Sequence, residues 1–397
     1  FDVVIIDEAS QAVEPATLIP LQWLKPDGLI VLVGDCQQLG PTVISRAAIK
    51  AHYAQSLFER LQKTGLPSFT LQEQYRMHPS IVRFPSLRFY RERLISGKGC
   101  DAADRLAPYH SKANCGPYQF FNVKRGQMVV DRYKTNSNSY SNSLEAEFAS
   151  YCYKHIAEAS MQSRSKHTVG VITPYLDQVK RLNEFIGAVQ QRNEGFAEWA
   201  PVTYGTVDQM QGHEFDAVLI SCVRARKEKK EDVVNTDVGF LKDERRLNVA
   251  LTRARKSTWI IGCVELLSRE NVWNDLKLDA ERRYVLVECD KAPYDEVFSV
   301  TVSKMAHILD SAHPNVRPAN VIVQAQNDPR KASRTAAQHA RRSPGFGRKG
   351  APANNSSRPR SREPGEIGSP RNSKRHKVAS PKPARKPKFI PEGELSD

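Results

Sequence analysis

The chain predicts an α/β protein built on parallel sheets, and three observations carry that prediction. The run from Phe1 to Glu8 is apolar and β-branched through Val3, Val4, Ile5 and Ile6 and then ends in two acids, as a strand buried on both faces does when it delivers carboxylates at its carboxyl end. A second such run, Leu29 to Val33, ends in Gly34 and Asp35. Between them Gln11 to Leu24 is compatible with a helix around Pro15 and Pro20, so the order is β-α-β, the signature of a sheet covered by helices.

The remaining elements follow in order. Ser56 to Lys63 reads as a helix closed by Gly65 and Pro67. Phe69 opens a second α/β unit with strands expected at Phe120 to Val123, Val169 to Thr173, Val202 to Tyr204, Phe215 to Val223 and Thr258 to Val264. Asn142 to Glu145 (N-S-L-E) resembles a capping box that opens a helix through about Ala159. Leu176 to Ile186 and Glu244 to Arg255 carry helical periodicity, and Tyr133 to Ser143 is polar, rich in Asn and Ser, and expected as a surface loop. Past Tyr294 the apolar periodicity fades. From Gln326 onward Pro, Ser, Arg, Lys, Gly and Ala dominate without a core-forming pattern, which predicts a disordered tail. The expected plan is 1–69 as part of a first domain, 70–294 as a complete second domain, and 295–397 as linker and basic tail.

The 397 residues suffice for two domains of ordinary size, and 59 Lys plus Arg against 44 Asp plus Glu give a formal charge of +15, which favours polyanionic partners such as nucleic acid. Seven scattered cysteines form no C-x-x-C pair, so neither a disulfide framework nor a zinc ribbon is indicated, and a reducing compartment fits. Cys100, His110 and Cys115 lie close together, but their spacing matches no common zinc pattern. No apolar run reaches the length of a membrane span.

Asp7 and Glu8 supply the first chemical lead. Adjacent acids at the end of a buried strand can hold Mg2+ and orient an attacking water, although acids also end strands at ordinary solvated turns. The segment Gly34 to Pro41 (G-D-C-Q-Q-L-G-P) follows the second strand at the sheet edge where such folds bind ligands, and an ordinary βα turn is the alternative.

Those segments, D-E-A-S-Q from Asp7 and G-D-C-Q-Q-L-G-P from Gly34, are followed by L-Q-E-Q-Y-R-M-H-P from Leu71, V-D-Q-M-Q-G-H-E-F-D from Val207 and R-L-N-V-A-L-T-R-A-R from Arg246. Together, in that order, they resemble motifs II to VI of superfamily 1B helicases of the senataxin and up-frameshift type, with Ser56 to Arg60, His78 to Tyr90 and Val238 to Arg255 closest to the senataxin branch. The resemblance implies part of a first RecA-like domain, a complete second RecA-like domain and a disordered basic tail. It implies ATP and Mg2+, with Asp7 on the metal, Glu8 activating water and Gln38 sensing the γ-phosphate. By the same resemblance Tyr75 would stack on adenine, Arg76 and Arg253 would reach the γ-phosphate, and Glu214 would bond the ribose or the phosphate-sensing network. Two arginines there would neutralise charge spread over the transferring phosphoryl oxygens. His78 and His213 are expected to be structural.

Strand contact is expected at Thr173, Pro174 and Tyr175 and at Thr206, Val207 and Asp208, where hydroxyls and backbone amides can hold phosphates without reading sequence. For the first trio a Thr-Pro helix start is the alternative. The implied substrate is single-stranded RNA or DNA, or an RNA:DNA hybrid, with 5′ to 3′ travel and closure of a cleft driving movement. No G-x-x-x-x-G-K-[ST] occurs, and Ser96 to Gly99 (S-G-K-G) lacks the loop and the hydroxyl, so the chain is expected to be a carboxy-terminal fragment that hydrolyses ATP negligibly by itself. The alternative is a non-catalytic nucleic-acid-binding or protein-interaction platform on a helicase scaffold. In the tail, Lys374 to Lys377 (K-R-H-K) and Lys382 to Lys388 (K-P-A-R-K-P-K) suggest nuclear import, and Ser343, Ser369 and Ser380 each precede proline.

Overall fold

A computed structural model describes residues 1–130, 139–225 and 239–289 together with Tyr294, Val297 and Phe298. Both basic clusters, the three Ser-Pro sites and most of the Asn- and Ser-rich loop lie outside the described residues.

Strands β1 (Val3–Ile6) and β2 (Leu29–Leu32) pair in parallel, Val3 opposite Leu29. The connecting α1 (Glu14–Leu21) is shorter than the expected Gln11 to Leu24. Pro15 sits in its first turn, where no amide donor is needed, and Pro20 leaves the helix a single further residue. After α2 (Arg46–Lys50) comes α3 (Leu57–Lys63), capped by the buried Ser56, whose hydroxyl accepts from the Glu59 amide at 3.1 Å. Val3, Ile5, Leu29 and Ile30 of the two strands are exposed.

A two-residue parallel ladder of β3 (Glu73–Gln74) and β4 (Ile95–Ser96) brackets α4 (Pro79–Phe89). Then follow β5 (Tyr118–Asn122), an antiparallel pair of β6 (Met128–Val130) and β7 (Tyr140–Asn142), and α5 (Ser143–Gln162). The chain continues through β8 (Val169–Thr173), α6 (Leu176–Arg192), α7 (Phe196–Trp199), β9 (Val202–Thr206) and β10 (Phe215–Ser221). It closes with α8 (Glu244–Leu251), β11 (Ala254–Gly262), α9 (Val264–Leu267), α10 (Asn271–Arg282) and β12 (Leu286–Glu288).

Six of these strands form one sheet in the order β12-β5-β11-β10-β8-β9, with every pairing parallel. Because side chains alternate along a strand, the inner strands feed two cores. Phe121, Val171, Leu219, Trp259 and Ile261 pack with Phe148, Tyr153 and Ile156 of α5. Phe120, Ile172, Val218, Ile220 and Ile260 pack on the other face with Phe84 of α4, Leu247 of α8 and Trp273 of α10. Burial on both faces is why these strands read as continuous apolar runs.

Several boundaries differ from the sequence expectation, among them the start of β11 at Ala254 rather than Thr258 and the end of α6 at Arg192 rather than Ile186. The helix expected from Glu244 to Arg255 ends at Leu251, because the Phe215 amide donates to the Arg253 carbonyl at 3.0 Å and Ala254 joins the ladder to β10. Here pairing with a neighbouring strand outweighs local periodicity. Strand β10 stops at Ser221 rather than Val223, since Val223 turns to φ 70° and donates its amide to the buried Glu145 carboxyl at 2.7 Å. The end of the expected loop, Tyr140 to Asn142, is strand β7. Asn142 does cap α5, accepting from the Glu145 amide at 3.2 Å.

Candidate active site

The loops that follow β1 and β2 are stitched side by side. The Ala9 amide donates to the Val33 carbonyl at 2.8 Å, and the Asp35 amide to the Ser10 hydroxyl at 3.3 Å. Gly34 permits this approach, because a Cβ there would lie 2.9 Å from the Ser10 nitrogen. Asp7 and Glu8 therefore stand beside the loop that carries Asp35 and Gln38. Glu8 adopts φ 50°, its amide donates to Asp7 Oδ1 at 2.8 Å, and Gln11 Nε2 donates to Glu8 Oε2 at 2.7 Å. Both carboxylates remain exposed.

Gln74, at the end of β3, shapes the turn that presents Tyr75 and Arg76. Its Oε1 accepts from the amides of Arg76 at 3.0 Å and Met77 at 2.7 Å, while its Nε2 donates to the Met77 carbonyl and the Ser96 hydroxyl. Tyr75 lies over Gly97 with 60% of its surface exposed, and its hydroxyl donates to Glu73. Arg76 Nε donates to Glu214 Oε2 at 2.7 Å, and Nη1 to the Thr252 carbonyl at 3.0 Å. Glu214 also pairs with Arg255, and hydrogen bonds from Arg255 and then Arg76 hold its carboxyl below the usual range. His78 caps α4 by accepting from the Ser80 amide at 3.0 Å, and its own amide donates to the Arg255 carbonyl at 2.8 Å. His213 is exposed and its ring stacks on Phe215.

Arg253 follows α8 and is 3% exposed. It donates from Nε to the Val249 carbonyl at 3.0 Å and from Nη2 to the Thr252 hydroxyl at 3.0 Å and to Gln38 Oε1 at 3.2 Å. Burial, and after it the neighbouring Arg76 charge, lower its pKa to about 10 against the opposing pull of Tyr90, Glu8 and Glu214. The same field places Glu8, Arg76 and Glu214 in electrostatic reach of one guanidinium. Gln38, Arg76, Glu214 and Arg253 are thus linked by hydrogen bonds that join the β1/β2 layer to the six-stranded sheet, with Glu8 in electrostatic reach.

These groups suit Mg2+ and ATP. Mg2+ takes hard oxygen donors, commonly one or two carboxylates with substrate phosphates and water completing the shell, and the exposed carboxylate of Asp7, with Glu8 beside it, is a donor of that kind. Bound there, the ion would neutralise charge on the phosphates. Arg76 and Arg253 offer fork-shaped donors from the opposite side, and the open ring of Tyr75 offers a face for a base.

The six residues expected to touch a strand are differently placed. Thr173, Tyr175 and Val207 are buried, Pro174 and Thr206 are half-buried, and Asp208 is exposed. The Thr173 hydroxyl is buried without a hydrogen-bond partner. Tyr175 OH accepts from Arg224 Nε at 2.7 Å, which turns that phenol inward. Asp208 pairs with Arg246 at 2.9 Å, and Gln209 Oε1 accepts from the Thr206 amide at 2.9 Å. His110 has both ring nitrogens engaged, by the Ala107 amide and by Ser257, and all seven cysteines are free thiols.

Sequence reasoning passed over Gln74, Tyr90, Asn248 and Arg255. Gln74, Asn248 and Arg255 lie inside the recognised motifs, so motif membership was an available signal. Tyr90 closes the stretch His78 to Tyr90 that resembles the family, but its bond to an acid 55 residues away is not visible in the sequence.

A doubly covered parallel sheet joined through these polar groups to a second layer defines a RecA-like α/β protein. Comparison with known proteins agrees: profiles described as "AAA domain" match residues 53–265 and 1–46. Helicase SEN1 of Saccharomyces cerevisiae is 37% identical over 294 residues, covering 72% of this chain and 12% of that protein. Probable helicase MAGATAMA 3 of Arabidopsis thaliana is 38% identical over 303 residues, covering 75% and 34%. Regulator of nonsense transcripts 1 of Dictyostelium discoideum is 34% identical over 288 residues, covering 72% and 20%. The chain belongs to the superfamily 1 helicases of the senataxin and up-frameshift type. It spans between 12% and 34% of the length of these relatives.

Proposed function

We propose that this chain supplies motifs II to VI of an ATP-dependent helicase or translocase that moves 5′ to 3′ on single-stranded RNA or DNA and opens RNA:DNA hybrids. The observation that carries the reading is the bond from Arg253 to Gln38, which joins a buried arginine of one layer to a polar loop of the other beside Glu8. In this reading Asp7 holds Mg2+, Glu8 activates water, Gln38 senses the γ-phosphate, and Arg76 and Arg253 neutralise the transition state. Tyr75 stacks on adenine and Glu214 orients Arg76 or the ribose. Closure of the cleft then moves the strand, held near Pro174, Thr206 and Asp208, the members of the two expected trios that reach the surface.

The phosphate-cradling loop belongs, in this proposal, to a segment outside this sequence, and the exposed apolar residues of β1 and β2 support a larger first domain that would cover them. The 397-residue chain alone should therefore turn over ATP negligibly. Strand displacement by the full-length protein, compared on RNA, DNA and hybrid duplexes with overhangs of either polarity, tests the substrate and direction. Glu8→Gln should abolish turnover and displacement together; activity that survives it would sink the hydrolytic reading. The alternative, a non-catalytic nucleic-acid-binding or protein-interaction platform on the same scaffold, would follow if the full-length protein also lacks the phosphate-cradling loop. The tail's basic clusters suit nuclear import, and deletion of residues 370–390 should then remove nuclear accumulation. Among the described residues no helix is long and apolar enough to cross a membrane.

A further inference from the structure

We propose that Tyr90 is a positioning residue that ties the seating of α8 to the orientation of Gln38, an inference that rests on the hydrolytic reading above. Tyr90 follows the last residue of α4, and its ring packs partly buried against the core. Its hydroxyl is a hub. It donates to Asp35 Oδ2 at 2.7 Å and accepts from Asn248 Nδ2 at 2.8 Å. Asp35 Oδ2 also accepts from Gln38 Nε2 at 2.8 Å, and Asn248 Nδ2 donates again to the Gln37 carbonyl at 2.9 Å. One phenol thus links the loop after β2, the end of α4 and the middle of α8.

The direction of each bond is fixed by chemistry. An ionised Asp35 can only accept, so Gln38 must turn its amide nitrogen toward Asp35 and its oxygen toward the Arg253 guanidinium, which can only donate. Burial and the Asp35 carboxylate push the Tyr90 pKa up, so the phenol stays protonated and keeps donating. Asn248 stands one helical turn before Thr252, whose amide donates to the Asn248 carbonyl at 3.2 Å, and Arg253 comes next. Seating α8 therefore brings Asn248 to Tyr90 and Arg253 to Gln38 in one movement. The phenol makes that seating felt at Asp35, which in turn locks the Gln38 amide in the orientation that receives the arginine. Without the hydroxyl, Asp35 loses a donor and Asn248 an acceptor, while the ring that fills the core is kept.

Two measurements test this. In the full-length protein, Tyr90→Phe should lower kcat for ATP roughly tenfold and leave KM within about twofold, since the phenol orients groups that act in the transition state. In the 397-residue chain, urea unfolding of Tyr90→Phe, Asp35→Asn and the double variant should show coupling, with the double variant's unfolding constant at least roughly threefold below the product of the single effects. An unchanged kcat, a KM that rises with the loss of kcat, or single effects that simply multiply would each overturn the proposal. Wild-type turnover that is absent, or that survives Glu8→Gln, would instead overturn the hydrolytic reading, and the unfolding cycle would still decide whether Tyr90 bridges the layers.

Discussion

Gly97→Ala is the sharpest probe of the surface proposed for the base. A Cβ at that position would lie 2.3, 2.7 and 2.8 Å from three atoms of the Tyr75 ring. Ordinary contact begins at 3.4 Å, so the ring must retreat by about 1.1 Å and give up its present seat on the backbone just after β4. The backbone itself tolerates alanine: Gly97 has no positive φ, and its amide still donates to the Gln74 carbonyl at 2.9 Å. The ring is 60% exposed and can swing into solvent, so the fold should survive and only the platform should be lost. Stacking of a base on an aromatic ring is worth about 1–3 kcal/mol, which predicts an ATP affinity in the full-length protein weaker by roughly 5- to 150-fold. Competition against a fluorescent ATP analogue measures it, with inorganic tripolyphosphate as the ligand that has no base to stack. Tripolyphosphate binding should be unchanged, and Gly97→Ala should add nothing to Tyr75→Ala. Wild-type ATP affinity in Gly97→Ala, or equal losses for ATP and tripolyphosphate, would refute the reasoning.

Two further outcomes follow from buried groups. Arg253→Lys should lose about 10³-fold or more in single-turnover hydrolysis, because one ammonium cannot reproduce the planar fork that serves Val249, Thr252 and Gln38 at once. Retention of most of the rate by lysine would count against the finger role. Glu145 is fully buried and accepts from the Ser221 hydroxyl, the Val223 amide and Asn142 Nδ2, and burial raises its pKa to about 8 from the ordinary 4.5. The native state therefore holds a proton that the unfolded chain releases. That stabilising contribution is complete below pH 4.5 and is lost as pH rises through about 8, an effect on the order of a few kcal/mol. Unfolding of Glu145→Gln followed from pH 4.5 to 8 should be flatter than the wild type; parallel curves would show that this group does not set the dependence.

The motifs could be read from one chain because each is local: an apolar strand followed by acids, a turn punctuated by Gly and Pro, an arginine at a fixed offset in a helix-like segment. Strand β8 was legible residue for residue, since a strand buried on both faces leaves a continuous apolar run. The boundary at Thr252 was not, because α8 gives way to β11 where the Arg253 carbonyl meets the Phe215 amide, a partner that periodicity does not register. Tyr175 illustrates the same limit. Its sequence neighbours suggest a surface contact, whereas Arg224 draws its hydroxyl into the protein.

The sequence by itself determined the α/β class, the family, and the residue types that chemistry on a phosphate would need. Only the tertiary structure decided that Arg253 bonds Gln38, that Glu214 lies between Arg76 and Arg255, and that Tyr90 joins Asp35 to Asn248. The physical reason is the range of the forces involved. Strand patterning, caps and turns are set by neighbours a few residues apart, whereas the hydrogen bond from Arg253 to Gln38 joins groups more than 200 residues apart and exists only once two layers have packed.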